Sequence, residues 1–468
     1  MEQALSHDLE TVKSVSLTID LWTSQKQEGY ISVTSHFLTR DFAMQNHTLE
    51  CSHFPGQHTG TAIYQKLCHL TSNWGISLSS TQIPIYVVSD NARNFSSALT
   101  GKPVVHLNCV AHNLQLAISD AVAEVGLDSV LKTCRSIVGH YKHSTKSRER
   151  LQSIKKKLGL PEHALIQMID TRWNSTYLML ERLHEQKEAV SADLPNCGKE
   201  SLTANEWNLI AVYVKILQPL FLATKELCKE SVPTLSMVRP IMYSIEGFFK
   251  NYVTSKTGVQ GSGITLARAL QKSLTARFQY IRDSHTHLLS TALDPRFKCF
   301  TMENHEIVLA KHLLTEEIRK NKSSLQVGNK CSRKEKVMEE KCASSTSANH
   351  SLWGIFDLKS KQTQPAEEDD DSVKKEAHDF LDGAVIGRDE DSLEWWKSCR
   401  NYPHLAELAM HYLGIPVTSV ASERLFSKAG LTISTRRQNL SSSLVEKLVS
   451  LHDVLLFFLF FILFLQIT

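Results

Sequence analysis

Two hydrophobic periodicities divide the chain. Over the first 125 residues, apolar positions alternate or form short runs. Ser14 to Thr23 (SVSLTIDLWT) and Tyr30 to Leu38 (YISVTSHFL) are rich in β-branched and aromatic residues. The polar Ser24 to Gly29 between them predicts an antiparallel hairpin. Met44 to Phe54 reads as a third strand, and Gly60 to Leu70 has helical spacing through Ile63, Leu67 and Leu70. Ile83 to Val88 is a short, wholly apolar strand of the buried kind. Asp90 to Leu99 opens a helix, Pro103 to Asn108 is one more strand, and Ala111 to Val125 is helical.

Beyond Val130 the period becomes helical. Thr203 to Cys228, Leu235 to Tyr252 and Ile264 to Asp283 are long amphipathic stretches, and strand signals nearly vanish. Lys320 to Asp382 is polar and of low complexity, with a basic part (Lys330 to Lys341), a Ser/Thr run (Ser344 to Ser351) and an acidic knot (Glu367 to Asp371). That composition predicts a disordered insertion. Helical signal returns at Glu394-Trp395-Trp396 and persists to His452.

Composition adds little. A chain of 468 residues with 42% hydrophobic content can bury two or three domain cores. Its net charge of +3 does not announce a nucleic-acid partner, so basic residues have to be gathered locally to matter. The ten cysteines include no C-x-x-C pair, which speaks for a reducing compartment and against a disulfide framework. Met1 to Lys13 is polar and does not read as a signal peptide. Val454 to Leu465 is an unbroken apolar run, shorter than the roughly 20 residues of a membrane span. Three readings of it stay open: a buried terminal element, a translated non-coding tail, or a tail anchor.

The candidate chemistry lies in acidic residues at element ends. Asp20 closes a β-branched strand and Asp90 follows an apolar one; a carboxylate there is costly unless something pairs with it. Asp90 alone also suits a turn or helix N-cap. Glu423 sits in the small-residue opening of a helix near Ser419, where a surface Glu-Arg pair with Arg424 is the plain alternative. Carboxylates converging at sheet ends hold Mg²⁺, which takes oxygen ligands.

Six motifs in order resemble the hAT superfamily of transposases and the zinc-finger BED proteins derived from them. They are Thr18 to Thr23 around Asp20, Val88 to Asn94 around Asp90, Cys109 to Leu114, Thr171 to Thr176, Leu293 to Phe297, and Pro416 to Gly430 leading into Arg436 to Leu451. The resemblance spans roughly residues 14 to 452. It implies an α/β fold: an RNase H-like mixed sheet interrupted by a large all-α insertion, with a helical C-terminal dimerisation region. The corresponding divisions are a first part of the catalytic core at 14–125, a helical insertion at 126–320 and a disordered loop at 321–390. A dimerisation region completing the core follows at 391–452, and the apolar tail at 453–468.

The resemblance further implies that Asp20, Asp90 and Glu423 bind two Mg²⁺ or Mn²⁺ ions for DNA cleavage and strand transfer. Trp173 matches the family's base-stacking aromatic, although a Trp packed in the helical core is the alternative. Arg172 would meet phosphate, with His112, Arg436 and Arg437 as further DNA contacts. Cys109 and His112 are expected to be structural or DNA-contacting, since two ligands do not close a tetrahedral zinc site. The partners implied are DNA and a second copy through the C-terminal region, in the nucleus, with neither a small-molecule substrate nor a membrane. No BED finger precedes the first strand, so weak, non-specific DNA binding is the expectation. A catalytically inactive nuclear DNA-binding and dimerising protein acting in transcription, and an RNase H-like nuclease without transposition history, remain alternatives.

Overall fold

The computed structural model describes residues 14–334 and 366–432 apart from 25–26, 80–83, 170–172, 200 and 255–260, together with residues 5, 8, 9 and 12. Side chains are described to residue 322 and again over 372–426.

Five strands form one mixed sheet in the order β3-β2-β1-β4-β5. They are β1 (Val15–Thr23), β2 (Gly29–Leu38), β3 (Met44–His53), β4 (Ile85–Ser89) and β5 (Val105–Asn108). The hairpin is antiparallel, with Thr18 opposite Thr34 and Asp20 opposite Ser32. β4 runs parallel to β1, and β5 parallel to β4. A strand sends alternate side chains to opposite faces. Leu17, Ile19, Ile31, Val33 and Val87 therefore share one apolar face, covered by Ile63 and Leu67 of α1 (Gly60–Ser72) and Phe95 of α2 (Arg93–Leu99). Ser16, Thr18, Asp20 and Trp22 fall on the other face.

The helices that follow β5 are α3 (Val110–Glu124), α4 (Asp128–His143), α5 (Thr145–Leu158), α6 (Trp173–Glu185) and α7 (Lys187–Asp193). Next come α8 (Ala204–Leu227), α9 (Val238–Thr254), α10 (Gly261–Asp283), α11 (His285–Leu293) and α12 (Asn304–Lys334). The last are α13 (Ala366–Asp382), α14 (Ser392–Ser398), α15 (Pro403–Leu413) and α16 (Val420–Thr432). Their apolar stripes merge into one large core that also takes in Tyr86, Val88 and Leu107 of the sheet. α8 starts where the pattern placed it, because Thr203 and Glu206 form a reciprocal capping box. α8 is also long and apolar enough to cross a membrane, but its Trp207, Ile210, Leu217 and Leu220 are buried in the helical core.

One expectation is corrected here. The polar stretch 320–382 is not disordered from end to end: α12 runs through Lys334, and α13 spans Ala366–Asp382. Val373, Ala377, Phe380 and Leu381 are buried. They recur at helical spacing, and the strongly charged residues between them mask that stripe in a composition count. Residues 335–365 lie outside the described residues, as does the apolar tail.

The helical pattern from Trp396 to Leu451 leaves an apolar face that suits either core or partner surface, since helix periodicity does not distinguish them. Leu405, Leu408, Ala409 and Tyr412 are packed into the core of this chain. Leu440, Val445, Leu448 and Leu451 lie outside the described residues.

Candidate active site at the sheet end

Asp20 and Asp90 meet through strand register. Val15 pairs with Ile85 and Thr18 with Val88. Carrying that register two residues further sets Asp20 beside Asp90, on strands about 4.8 Å apart. Each carboxylate is anchored by one backbone amide: Leu21 N–H donates to Asp20 Oδ1 at 2.8 Å, and Ala92 N–H to Asp90 Oδ1 at 3.1 Å. The second bond is an Asx-type turn leading into α2, so Asp90 also does the local job of a strand-end turn residue.

Glu423 arrives from α16, which lies across β1 and β2 on the polar face of the sheet. Phe426 stacks on Trp22 at 5.6 Å between centroids, and Leu425 packs with Tyr30 and Cys51. Ser422 Oγ is 2.9 Å from Thr18 Oγ1. Thr18 and Asp20 point to the same face, so the first turn of α16 sits over the strand end that carries the aspartates.

The electrostatics follow. Burial, the charge of Glu423 and, more weakly, that of Asp90 push the Asp20 carboxyl up to about 7, against the opposing pull of the Leu21 amide. Clustered carboxylates disfavour their own ionisation, and a cation relieves them. The donors are all oxygen, the kind that Mg²⁺ and Mn²⁺ take. Among the described residues, no three His, Cys, Asp or Glu side chains stand close enough to share one ion. The site as placed is therefore a pair of strand-end aspartates with Glu423 in electrostatic range.

A hydrogen-bond circuit surrounds Glu423. Burial pushes the His36 imidazole down to about 4, so it is neutral. Its Nδ1–H donates to Asn46 Oδ1 at 2.6 Å, which leaves Nε2 to accept from the Thr34 hydroxyl at 2.8 Å. Thr18 then donates to Thr34, and Ser422 to Thr18. At the other end Asn46 Nδ2 donates to the Glu230 carbonyl at 2.8 Å, and the Glu230 carboxylate pairs with Arg424. The circuit begins at Ser422 and ends at Arg424, the two neighbours of Glu423. Arg424 thus pairs with Glu230, and its second amine donates to the Cys228 carbonyl at 2.9 Å. Sequence reasoning missed Thr18, Thr34 and His36; buried polar residues alternating on one strand face were the available signal.

Cys109 is buried at the start of α3, and its Sγ accepts from Ser419 N–H at 3.4 Å. Burial raises its thiol pKa. With Val110 N–H donating to the Val417 carbonyl at 3.0 Å, Cys109 fastens α3 to the loop before Glu423. His112 is half-buried on α3. Trp173 opens α6 only 6% exposed, in the helical core, and Gln115 Oε1 accepts its backbone N–H at 2.6 Å. The core alternative for its ring is the arrangement the structure holds. Arg172, Arg436 and Arg437 lie outside the described residues.

Comparison with known proteins places this geometry in a family. Residues 18–102 match the ZBED1 RNase-like domain, 107–216 the ZBED1 RNase-like helical domain, and 373–455 the hAT family C-terminal dimerisation region. The chain belongs to the hAT-derived, BED-type group. Zinc finger BED domain-containing protein 4 of Homo sapiens is 24% identical over 93% of this chain and 37% of its own length. Putative AC transposase of Zea mays is 24% identical over 94% of the chain and 56% of its own. Zinc finger BED domain-containing protein DAYSLEEPER of Arabidopsis thaliana is 26% identical over 94% and 63%. The chain therefore spans less than two thirds of the length of these relatives.

Proposed function

We propose that the chain is a hAT-type transposase core, or a domesticated derivative, that binds DNA, dimerises through its C-terminal region and acts in the nucleus. Its fold is then an RNase H-like sheet divided by a helical insertion, with α16 returning to complete the core. The matched dimerisation region supports self-association. The single observation carrying the catalytic reading is the register that sets Asp20 beside Asp90 with the charge of Glu423 upon them.

Asp20, Asp90 and Glu423 would hold the divalent ions. Such ions, when bound, activate the attacking oxygen and stabilise the leaving one in phosphodiester cleavage. The chain itself contributes position. Backbone amides orient one oxygen of each aspartate, and the Ser422–Thr18 and Arg424–Glu230 bonds hold Glu423 between them. The raised Asp20 carboxyl gives up its proton when a cation arrives, so ion binding releases protons below about pH 7.

The test is nicking of supercoiled plasmid in Mg²⁺ or Mn²⁺, comparing the chain with Asp20→Ala, Asp90→Ala and Glu423→Ala. Loss in all three supports the catalytic reading. Equal nicking by Asp90→Ala rejects it, and an inactive dimerising DNA-binding protein then remains.

A further inference from the structure

The acids at the sheet end repel DNA phosphates, so a DNA-binding chain needs a cationic surface elsewhere. α4 and α5 supply one. From Asp128 to Leu158 there are nine Lys or Arg residues against two acidic ones, a net of +7. The whole chain carries +3, which leaves −4 for everything else. The positive charge of this protein is thus concentrated on two consecutive helices.

Some of those cations are used internally. Arg150 clamps Asp193, with Nη2 to Oδ2 at 3.1 Å. Lys155 is buried and donates to the His163 carbonyl at 2.7 Å, and Lys156 lies 3.8 Å from Glu162. Lys132, Lys142, Lys146, Arg148 and Lys157 differ. All five are exposed, and among the described residues none forms an ion pair. An ordinary solvated helix face mixes signs and pairs them at i, i+4; here only two acids, Asp128 at the start of α4 and Glu149, stand among the exposed cations.

We propose that the exposed face of α4 and α5 binds the phosphodiester backbone of duplex DNA, with these five residues meeting phosphates. The proposal rests on the DNA-binding reading above and names the surface that serves it. A membrane fits less well. The apolar side of α4 (Val130, Leu131, Ile137, Val138) is buried in the helical core, and Leu158, 47% exposed, is the one exposed large hydrophobic residue of α5. Nothing is left to insert into a bilayer. Lysines offer point charges without a fixed fork, so the contact carries no base sequence.

The experiment measures anisotropy of a labelled random-sequence duplex with the full chain, across a salt series. The variant carries Lys132→Ala, Lys142→Ala, Lys146→Ala, Arg148→Ala and Lys157→Ala. The control removes five exposed lysines elsewhere, Lys215, Lys225, Lys250, Lys272 and Lys397, and so has the same net charge. Each phosphate contact contributes about 0.9 to the log–log salt slope, so the variant, with five contacts removed, is expected to lose about 4.5 of that slope and at least tenfold in affinity at low salt. The control is expected to lose less than threefold.

Equal losses in variant and control overturn the surface while leaving DNA binding intact. A parent chain that binds no duplex overturns the DNA reading and this proposal together. Loss of binding to phosphatidylserine vesicles with DNA binding unchanged assigns the face to a membrane and overturns it as well. Should the fivefold variant lose its helical circular dichroism, Lys142→Glu with Lys146→Glu gives the same comparison with two changes.

Discussion

Ser422 Oγ stands 2.9 Å from Thr18 Oγ1 and joins positions 404 residues apart. That bond brings the helix carrying Glu423 down onto the strand carrying Asp20, and it is the last donor step of a chain fixed in direction by neutral His36. Removing Ser422's hydroxyl leaves Thr18 without its buried donor. Ser422→Ala is expected to cost about 1 kcal/mol by chemical denaturation. Metal-dependent nicking should fall tenfold or more while duplex affinity holds. Unchanged nicking would show that α16 is held by Arg424 and Phe426 alone.

The strand-end acids impose a pH signature. Asp20 ionises near 3.8 when unfolded and about 7 when folded. Its protonated form is favoured by folding, so stability is highest below pH 4 on this account and declines until about pH 7, then levels. Asp20→Asn removes the decline. At pH 8 that variant is expected to be more stable by on the order of 1–3 kcal/mol, with no gain at pH 4. Melting curves at both values check it, and a stabilising shift in the parent alone on adding Mg²⁺ is the companion result.

Three buried histidines act in the opposite direction. Burial pushes His36 and His411 down to about 4 and His287 to about 3. The unfolded chain takes up protons near 6.5 while the folded one resists, so stability present above 6.5 is lost as pH falls toward 4. His36→Gln is expected to flatten part of that loss. A curve as steep as the parent's would place the acid sensitivity in His287 and His411, whose Nε2 bonds the Tyr86 hydroxyl at 2.9 Å.

Asp294 and Arg296 form a buried clamp. Arg296 Nη2 is 2.7 Å from Asp294 Oδ2, which also accepts from Ser236 Oγ at 2.6 Å. Asp294 is fully buried and Arg296 nearly so. Asp294→Ala leaves an unpaired buried guanidinium and is expected to cost about 3–5 kcal/mol. Asp294→Ala with Arg296→Met should recover much of that loss in a denaturation series.

Trp173 separates packing from recognition. As a core residue its truncation to Ala is expected to cost about 3–5 kcal/mol, with little change in duplex affinity of the folded fraction. A variant of parental stability that loses affinity for unpaired DNA would instead assign the ring to base stacking.

Strand and helix order was legible because alternation and the helical stripe leave periodic marks: Leu17 and Ile19 in β1, Ile63 and Leu67 in α1. Asp20, Asp90 and Glu423 were legible as carboxylates at element ends, and as family motifs. The edges of the polar stretch were not. Charge counts hid the sparse stripe of Val373, Ala377 and Phe380, which pays off only against a partner helix.

The local pattern determined by itself which face of β1 is apolar, where α8 begins at Thr203, and that two aspartates end neighbouring strands. Only the tertiary structure decided that β4 pairs with β1 in the register aligning Asp20 with Asp90. It also decided that α16 lies on the polar face, that Arg424 pairs with Glu230, and that Lys132 and Lys142 of α4 form no ion pair among the described residues. Periodicity is a property of adjacent residues and is written along the chain. Register, pairing and burial of charge are settled by which distant surfaces exclude water together, and no local window contains both surfaces.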